Sequence, residues 1–265
     1  MAKINYTSTD GVALIELNDP PANTYSYEMM QEIDAAVLAA RMDDSVHVLV
    51  ITGAGEKFFC AGANIGMLKD AHPNFKYYFC LHANETMSRL EQTPKLVIAG
   101  LNGHTVGGGL EVAMACDLRI ARQGAGKIGL PEVALGVLPG TGGTQRLARL
   151  LGKAKAIELM TAGTLLSFED ALGLGLVTQV WADADLEGRT FRAALLDYAR
   201  RFTPPHRASK AVGHIKRAVQ SGLEMSFADG LALERELQQR LFESDDAREG
   251  IAANLEKRKA VFTGR

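Results

Sequence analysis

The sequence predicts an α/β body followed by a helical tail. An apolar strand, a glycine-containing loop and a helix follow one another twice, with the strands at residues 46–52 and 95–101. Strand patterns cease after Val180, whereas helical patterns continue towards the C-terminus. Alternating strands and helices indicate parallel strands joined by helical crossovers. No low-complexity linker separates body and tail, so we expect them to pack together.

The elements follow from the spacing of apolar residues. Residues 4–6 and 12–17 are rich in β-forming side chains and flank a turn at Asp10-Gly11. The strands at 46–52 and 95–101 are predominantly apolar, as expected of buried strands. The expected helices, in which apolar residues recur about every 3.6 positions, are residues 26–41, 74–91, 186–201, 208–221, 227–241 and 246–259.

Composition excludes several broad classes of protein. The 265 residues are 47% hydrophobic and 23% charged, so the chain as a whole is neither disordered nor fibrous. The 29 basic and 31 acidic side chains give a net charge of −2, which provides no bulk attraction to nucleic acid or to an anionic membrane. We therefore expect neither as a partner.

The cysteines and the N-terminal residues indicate location. Cys60, Cys80 and Cys116 are too few for a disulfide framework, which favours a reducing compartment. The first ten residues lack the pattern of a signal or transit peptide. Metal-ligand spacing is absent, and His72, His82 and His104 are interpreted as structural or lining residues. We expect a soluble, cytoplasmic protein without a metal.

Small residues dominate the loop after the strand at 46–52. Residues 58–65 read FFCAGANI, and such residues let a backbone approach a ligand closely. If the Ala63 amide points inward, it is a free hydrogen-bond donor. The alternative is a loop that uses small residues only to turn.

Three glycines open the helix after the strand at 95–101. Gly107, Gly108 and Gly109 place unpaired N–H groups at a helix start, which suits a phosphate or a developing oxyanion. Neither G-x-G-x-x-G in its required context nor a P-loop motif is present, which disfavours a nucleotide. Glu111 follows among apolar residues. It is either a first-turn carboxylate that complements the helix dipole or a carboxylate in a dry site.

A second carboxylate lies 21 residues further along the chain, at Glu132. Proline followed by glutamate is common at a helix start, so Pro131-Glu132 has a structural explanation too. Residues 139–147 then form either an anion-binding loop or a sharp turn. Two loops of backbone donors combined with two carboxylates nevertheless indicate an acyl-transfer or enolate site.

These segments resemble the crotonase, or enoyl-CoA hydratase/isomerase, superfamily. The similarity extends over residues 4–262 and rests on four segments in order: FFCAGANI, NGHTVGGGLEVAMACDLRIA, GLPEVALGVLPGTGGTQRL and EKRKAVF. The resemblance implies a spiral of ββα repeats with a C-terminal helical trimerisation region, commonly assembled as a dimer of trimers. We expect the α/β core at residues 1–200 and the helical region at 201–265.

The resemblance also implies the activity. Backbone N–H groups of Ala63 and Gly108 match the family's oxyanion hole, which holds a thioester oxygen. Relatives that hydrate enoyl-CoA carry two glutamates, which correspond here to Glu111 and Glu132. We assign Glu111 to the water as base and Glu132 to the Cα proton as acid. We therefore expect reversible hydration of a 2-enoyl-CoA in acyl-CoA or fatty acid metabolism.

Substrate contacts are expected from the same alignment of motifs. Ala61, Asn64 and Ile65 correspond to the family positions that contact coenzyme A. Gly140 lies in the loop that helps to position the water in the family. Lys257 is the candidate to reach the nucleotide of a coenzyme A bound in a neighbouring subunit. Lys257 is equally explained as a solvated surface charge. No cofactor is expected, because coenzyme A is part of the substrate.

Three departures from the family pattern leave the identity of the acyl group undetermined. Asn64 replaces an aspartate, Asn23-Thr24-Tyr25 replaces Asn-Ala-Leu, and Leu130 replaces a polar residue. The acyl cavity is expected along residues 67–78 and near Leu135. The alternatives are a crotonase-fold isomerase, a specialised acyl-CoA dehydratase, and a relative that binds coenzyme A or RNA without turnover.

Overall fold

The computed structural model describes residues 2–265, so Met1 of the predicted core lies outside the described residues. The strands in this range are β1 (Ile4–Thr9), β2 (Val12–Leu17), β3 (Val48–Gly53), β4 (Phe58–Cys60), β5 (Leu96–Leu101), β6 (His104–Val106), β7 (Leu118–Arg122), β8 (Ile128–Gly129) and β9 (Gln179–Trp181). The helices are α1 (Tyr27–Met42), α2 (Ile65–Lys69), α3 (Pro73–Gln92), α4 (Gly108–Met114), α5 (Gly143–Leu151), α6 (Lys153–Ala162), α7 (Phe168–Gly173), α8 (Phe191–Arg200), α9 (Ser209–Gly222), α10 (Phe227–Phe242) and α11 (Asp245–Leu255).

The strands form two sheets that the chain visits in turn. The larger sheet has the order β1-β2-β3-β5-β7-β9 and the smaller one β4-β6-β8. Only β1 and β2 pair antiparallel, and all other pairs in the described range are parallel. Each of β3, β5 and β7 leads directly into a short strand of the smaller sheet. This repeated connection is the predicted spiral.

Helices cover both faces of the larger sheet, which explains its continuous apolar strands. All six residues of β3 and of β5 are buried. On one face Leu49 and Ile51 pack in the main core, and on the other Val48 and Val50 pack against Leu195 of α8. A parallel sheet buried on both faces needs apolar residues at successive positions.

Two predicted helices have different bounds. The helix expected from residue 186 begins at Phe191, because Glu187 and Gly188 have φ values of 51° and 77°, which are incompatible with a right-handed helix. The last helix ends at Leu255 rather than residue 259. Lys257 just beyond it has a φ of 54°. The strands β4, β6, β7, β8 and β9 and the helices α2, α6 and α7 were not predicted.

The helices after residue 208 are held to the body by an ion pair between buried Lys216 and partly buried Asp117. Lys216 of α9 and Asp117 approach to 3.0 Å, and Lys216 also donates to the carbonyl oxygens of Leu90 and Lys95. Body and tail therefore pack together as expected. Within residues 2–265, none of the helices combines the length and the apolar character that crossing a membrane requires.

Candidate active site

The loop after β4 leaves one backbone N–H without a protein partner. The N–H of Tyr25 donates to the Gly62 carbonyl oxygen, and the N–H of Asn64 donates to the Tyr25 carbonyl oxygen, both at 3.0 Å. These two bonds lie on either side of Ala63. In the described part of the chain, no group accepts the Ala63 N–H. The loop thus presents a backbone donor at the position that the sequence predicted.

The start of α4 provides a second backbone donor beside the first. Gly108 is the first residue of this helix, so its N–H lacks an intrahelical acceptor, and nothing else in residues 2–265 accepts it. A Cβ built on Gly62 would lie 2.9 Å from the Gly108 nitrogen. A Cβ built on Gly108 would overlap the Tyr25 phenol. The two loops are therefore adjacent. Their close approach favours glycine at position 62, and the Tyr25 phenol leaves room only for glycine at position 108.

Glu111 is buried in α4 and fixed by three donors. Only 2% of the residue is exposed. Its Oε1 accepts from the backbone N–H groups of Thr141 (2.8 Å) and Gly143 (2.7 Å), and its Oε2 accepts from the Thr141 hydroxyl. Glu111 acts as an acceptor in all three contacts, which is the role available to an ionised carboxylate.

Glu132 lies in a different environment. It opens a 3-10 turn after Pro131, and its Oε2 is buried without a hydrogen-bond partner in the described range. Burial raises the pKa of this carboxyl group to about 7, and the negative charge of Glu111 adds to the effect. A large fraction of Glu132 is therefore protonated at neutral pH. The two carboxyl groups differ in the way that an acid and a base require.

Tyr25 and Thr141 form a hydrogen-bonded pair that the sequence did not reveal. The Tyr25 Oη lies 3.0 Å from the Thr141 Oγ1, and both residues are buried. Since the Thr141 hydroxyl proton is donated to Glu111, the Tyr25 hydroxyl donates to Thr141. A chain of hydrogen bonds thus runs from Tyr25 through Thr141 to Glu111. Burial raises the pKa of Tyr25 well above its usual value, so the phenol stays neutral.

One cavity of about 280 Å³ connects these groups. Of the predicted site residues, it is lined by Ala61, Ala63, Ile65, Gly108, Glu111, Glu132 and Gly140. Tyr25, Lys76 and Thr141 also line it and were not predicted as site residues. The predicted acyl-cavity segment contributes Leu68 and Lys76, and Leu135 lines the cavity as expected.

Two of the predicted substrate contacts, Asn64 and Lys257, are not among the residues that line this cavity. The Asn64 side chain caps α2 by accepting from the Met67 N–H at 3.0 Å. Lys257 follows α11 and does not line the cavity of this chain. Leu130, a departure from the family pattern, is 3% exposed and belongs to the core.

The histidines serve local structure. His72 caps α3 by accepting from the Asn74 N–H at 3.3 Å, and His104 accepts from the Lys127 N–H at 3.1 Å. His82 packs edge-on against Tyr27. Within residues 2–265, no cluster of three or more histidine, cysteine, aspartate or glutamate side chains is arranged to hold a metal ion.

Comparison with known proteins decides the family. Residues 7–265 match the sequence model of the family described as enoyl-CoA hydratase/isomerase. The chain belongs to the enoyl-CoA hydratase/isomerase family. The short-chain-enoyl-CoA hydratase of Clostridium acetobutylicum is 36% identical over 94% of this chain and 92% of its own length. The crotonyl-CoA hydratase of Syntrophomonas wolfei is 35% identical over 95% and 94%.

Solved structures agree with this membership. The enoyl-CoA hydratase of Geobacillus kaustophilus HTA426 has a TM-score of 0.95 and 43% identity, covering 100% of this chain and 98% of its own. The enoyl-CoA hydratase of Bacillus anthracis has a TM-score of 0.88 and 32% identity, with coverage of 99% and 100%. The predictions of the crotonase family, of its fold and of an enzyme are confirmed.

Proposed function

We propose that this member of the enoyl-CoA hydratase/isomerase family reversibly hydrates a 2-enoyl-CoA to a 3-hydroxyacyl-CoA. One observation carries the proposal: two unpaired backbone donors and two glutamates of unequal environment line the same cavity. Hydration of an enoyl thioester needs an oxyanion stabiliser, a base for water and an acid for carbon. The chain supplies a candidate for each of the three tasks.

The first step is water attack. The thioester oxygen accepts hydrogen bonds from the Ala63 and Gly108 N–H groups, which polarises the conjugated double bond. Glu111 removes a proton from water as its oxygen bonds to Cβ. The π electrons shift to give an enolate whose negative charge lies on the thioester oxygen. Fixed donors stabilise that charge without reorganising during the reaction.

The second step places a proton on Cα. Glu132 donates it, the enolate collapses to the thioester, and a 3-hydroxyacyl-CoA remains. A carboxyl group with a pKa of about 7 is protonated in about half of the molecules at neutral pH and is still acidic enough to release its proton. Proton exchange between the glutamates through solvent restores the starting state. Dehydration follows the same steps in reverse.

The remaining predicted contacts serve the substrate. Ala61 and Ile65 flank the first donor loop and would contact the coenzyme A portion through backbone and shape. Asn64 would hold this loop by capping α2. Gly140 lines the cavity, and its N–H has no acceptor in the described range, which suits it to position the water. Lys257 remains a candidate to reach the nucleotide bound in a neighbouring subunit.

Self-association as a trimer or dimer of trimers forms part of the proposal. The tail exposes many large apolar side chains that a neighbouring subunit would cover: Ile215, Val219, Leu223, Phe227, Phe242, Ile251, Leu255 and Val261. We propose a cytoplasmic location, since all three cysteines are free thiols. Acyl-CoA or fatty acid metabolism is the proposed setting.

The test is loss of the enoyl-thioester absorbance of crotonyl-CoA. We expect rapid turnover by the native enzyme and a fall of about 10²–10⁴-fold in kcat for Glu111→Gln and for Glu132→Gln. Glu85→Gln is the matched control, because Glu85 is an exposed carboxylate of α3 outside the cavity. Full activity in either cavity variant would contradict the assigned roles.

Product analysis separates the rival activities. A 3-hydroxyacyl-CoA product supports the hydratase or dehydratase. Migration of the double bond of a 3-enoyl-CoA without hydration would instead establish an isomerase. Binding of acyl-CoA with no turnover of any enoyl-CoA would reduce the chain to a binding protein, and salt-dependent retention of RNA would identify its ligand.

A further inference from the structure

Lys76 places an unpaired cation at the wall of the catalytic cavity. It lies near the start of α3, is half-buried, and lines the cavity together with both glutamates. Its Nζ lies 5.3 Å from the centre of the Phe79 ring. In the part of the chain that the structure describes, the lysine ion pairs are formed by Lys3, Lys155 and Lys216, and none includes Lys76.

The proposed hydration step leaves Lys76 without a task. Thr141 and Gly143 hold Glu111, and the oxyanion donors are backbone groups. Much of the remaining cavity lining is apolar, and it includes Leu68, Leu135, Val137 and Leu138. A purely hydrocarbon acyl chain would remove water from the ammonium without replacing its hydrogen bonds, which is unfavourable.

The position of Lys76 favours contact with the acyl group of the substrate rather than with coenzyme A. Lys76 is close enough to Glu132 for its charge to act on that carboxyl group, and Glu132 is the group assigned to Cα. The coenzyme A portion is assigned to Ala61 and Ile65, on either side of the first donor loop. The Phe79 ring face holds the ammonium beside the cavity through a cation–π contact.

We propose that the preferred substrate carries a carboxylate at the far end of its acyl chain and that Lys76 binds this carboxylate. The proposal rests on the proposed function in that it assumes an acyl-CoA in this cavity. The carboxylate of Glu111, the proposed base, would otherwise repel an anionic acyl group. An ammonium–carboxylate contact offsets that repulsion and gives a short charge-assisted hydrogen bond. Lys76 is thus a specificity-determining residue.

The experiment compares two saturated ligands that cannot be hydrated. Pentanoyl-CoA and glutaryl-CoA have five acyl carbons each and differ in a terminal methyl or carboxylate. Their Kd values are measured by calorimetry for the native enzyme and for Lys76→Met, Lys76→Arg and Lys69→Met. Lys69 is an exposed lysine of α2 outside the cavity and is the matched control.

We expect the native enzyme to bind glutaryl-CoA more tightly than pentanoyl-CoA. Lys76→Met should reduce this preference by about 10- to 100-fold, the range of a hydrogen bond to a charged group. Lys76→Arg should retain most of the preference, and Lys69→Met should leave it unchanged. Far-ultraviolet circular dichroism checks that each variant is folded.

Two results would overturn the proposal. Equal preference in the native enzyme and in Lys76→Met removes Lys76 from acyl recognition. A parallel loss of affinity for both ligands assigns Lys76 to a phosphate of coenzyme A instead. Crotonyl-CoA turnover is measured separately. Hydration of crotonyl-CoA without a preference for glutaryl-CoA would contradict only the inference about Lys76. A Lys76-dependent preference for glutaryl-CoA without any hydration would contradict only the proposed reaction.

Discussion

Thr141 donates both its backbone N–H and its side-chain hydroxyl to the carboxylate of Glu111, one to each oxygen. The two residues lie 30 positions apart in the sequence. The hydroxyl accepts in turn from Tyr25 at 3.0 Å. The orientation of the proposed base therefore depends on a loop residue and a phenol that do not themselves carry the reaction.

Replacing Thr141 by valine should slow hydration. Valine keeps the shape and the backbone N–H but removes the donor to Glu111 Oε2 and leaves the Tyr25 hydroxyl buried and unpaired. Such losses cost about 1–3 kcal/mol, so we expect kcat to fall roughly 10-fold with a smaller change in KM. Thr144→Val is the control, because the Thr144 hydroxyl accepts only from the neighbouring Gln145 at an exposed position. Equal kinetics for the two variants would refute the role.

Tyr25→Phe tests the other end of the chain of hydrogen bonds that runs from Tyr25 through Thr141 to Glu111. Because the phenol acts on Glu111 only through Thr141, its effect should vanish when the hydroxyl of Thr141 is already absent. We expect Tyr25→Phe to lower kcat several-fold alone and to add little to Thr141→Val. A double-mutant cycle measures this coupling. Strictly additive losses in activation free energy would show that the two residues act independently.

The pH dependence of hydration should report Glu132. Its carboxyl group must be protonated to donate to Cα, so kcat should fall as pH rises above about 7. Glu132→Gln should lose this descending limb together with most activity, whereas Glu85→Gln should keep it. A descending limb that is unchanged in the residual activity of Glu132→Gln would assign the titration to another group.

The free energy of unfolding should also depend on the protonation of Glu132. The pKa of Glu132 is raised from 4.5 to about 7 in the folded protein, mainly by burial. The folded state therefore holds a proton that the unfolded chain releases, and its free energy of unfolding decreases as pH rises from 4.5 to about 7. We expect Glu132→Gln to flatten this part of the stability profile, measured by denaturant unfolding at several pH values. An unchanged slope would contradict the raised pKa.

Gly108→Ala should disable one of the two proposed oxyanion donors. The added Cβ overlaps the buried Tyr25 phenol, so the loop must shift and move the Gly108 N–H. Loss of one oxyanion donor costs about 10²–10³-fold in rate, and we expect kcat to fall in that range. Gly173→Ala is the control, since a Cβ there meets no atom within 4 Å. Native-like activity of Gly108→Ala would remove Gly108 from the mechanism.

The ion pair between Lys216 and Asp117 should hold the tail to the body. Lys216→Met leaves the carboxylate of Asp117 buried without its cation, and breaking a buried pair in this way costs about 3–5 kcal/mol. The midpoint of denaturant unfolding should fall accordingly. Adding Asp117→Asn removes the unpaired charge and should restore part of the loss. No recovery in the double variant would show that the packing of the Lys216 side chain dominates.

The central strands β3 and β5 and the longest helices of this protein were evident in its sequence. Residues of β3 and β5 are apolar at nearly every position because helices cover both faces of the sheet. Helix α1 shows its apolar stripe directly in the sequence, and the structure adds that Ser26 caps it. The short strands β4, β6 and β8 have two or three residues each, too few for any periodicity, and only their pairing in the second sheet defines them.

Some residues of the candidate site were likewise indicated by the sequence, whereas others were found only in the tertiary structure. Glycine loops and two glutamates are local patterns that carry the family resemblance. The sequence alone therefore predicted the family, which is confirmed, and it indicated both carboxylates and both backbone donors as candidates. Tyr25 and Thr141 are 116 positions apart, and Lys76 is one lysine among many on an ordinary helix. Tyr25, Thr141 and Lys76 line the same cavity as the two glutamates only because α3 and the loop before α5 pack around it. Contacts between distant segments depend on how the elements pack, and spacing along the chain does not encode them.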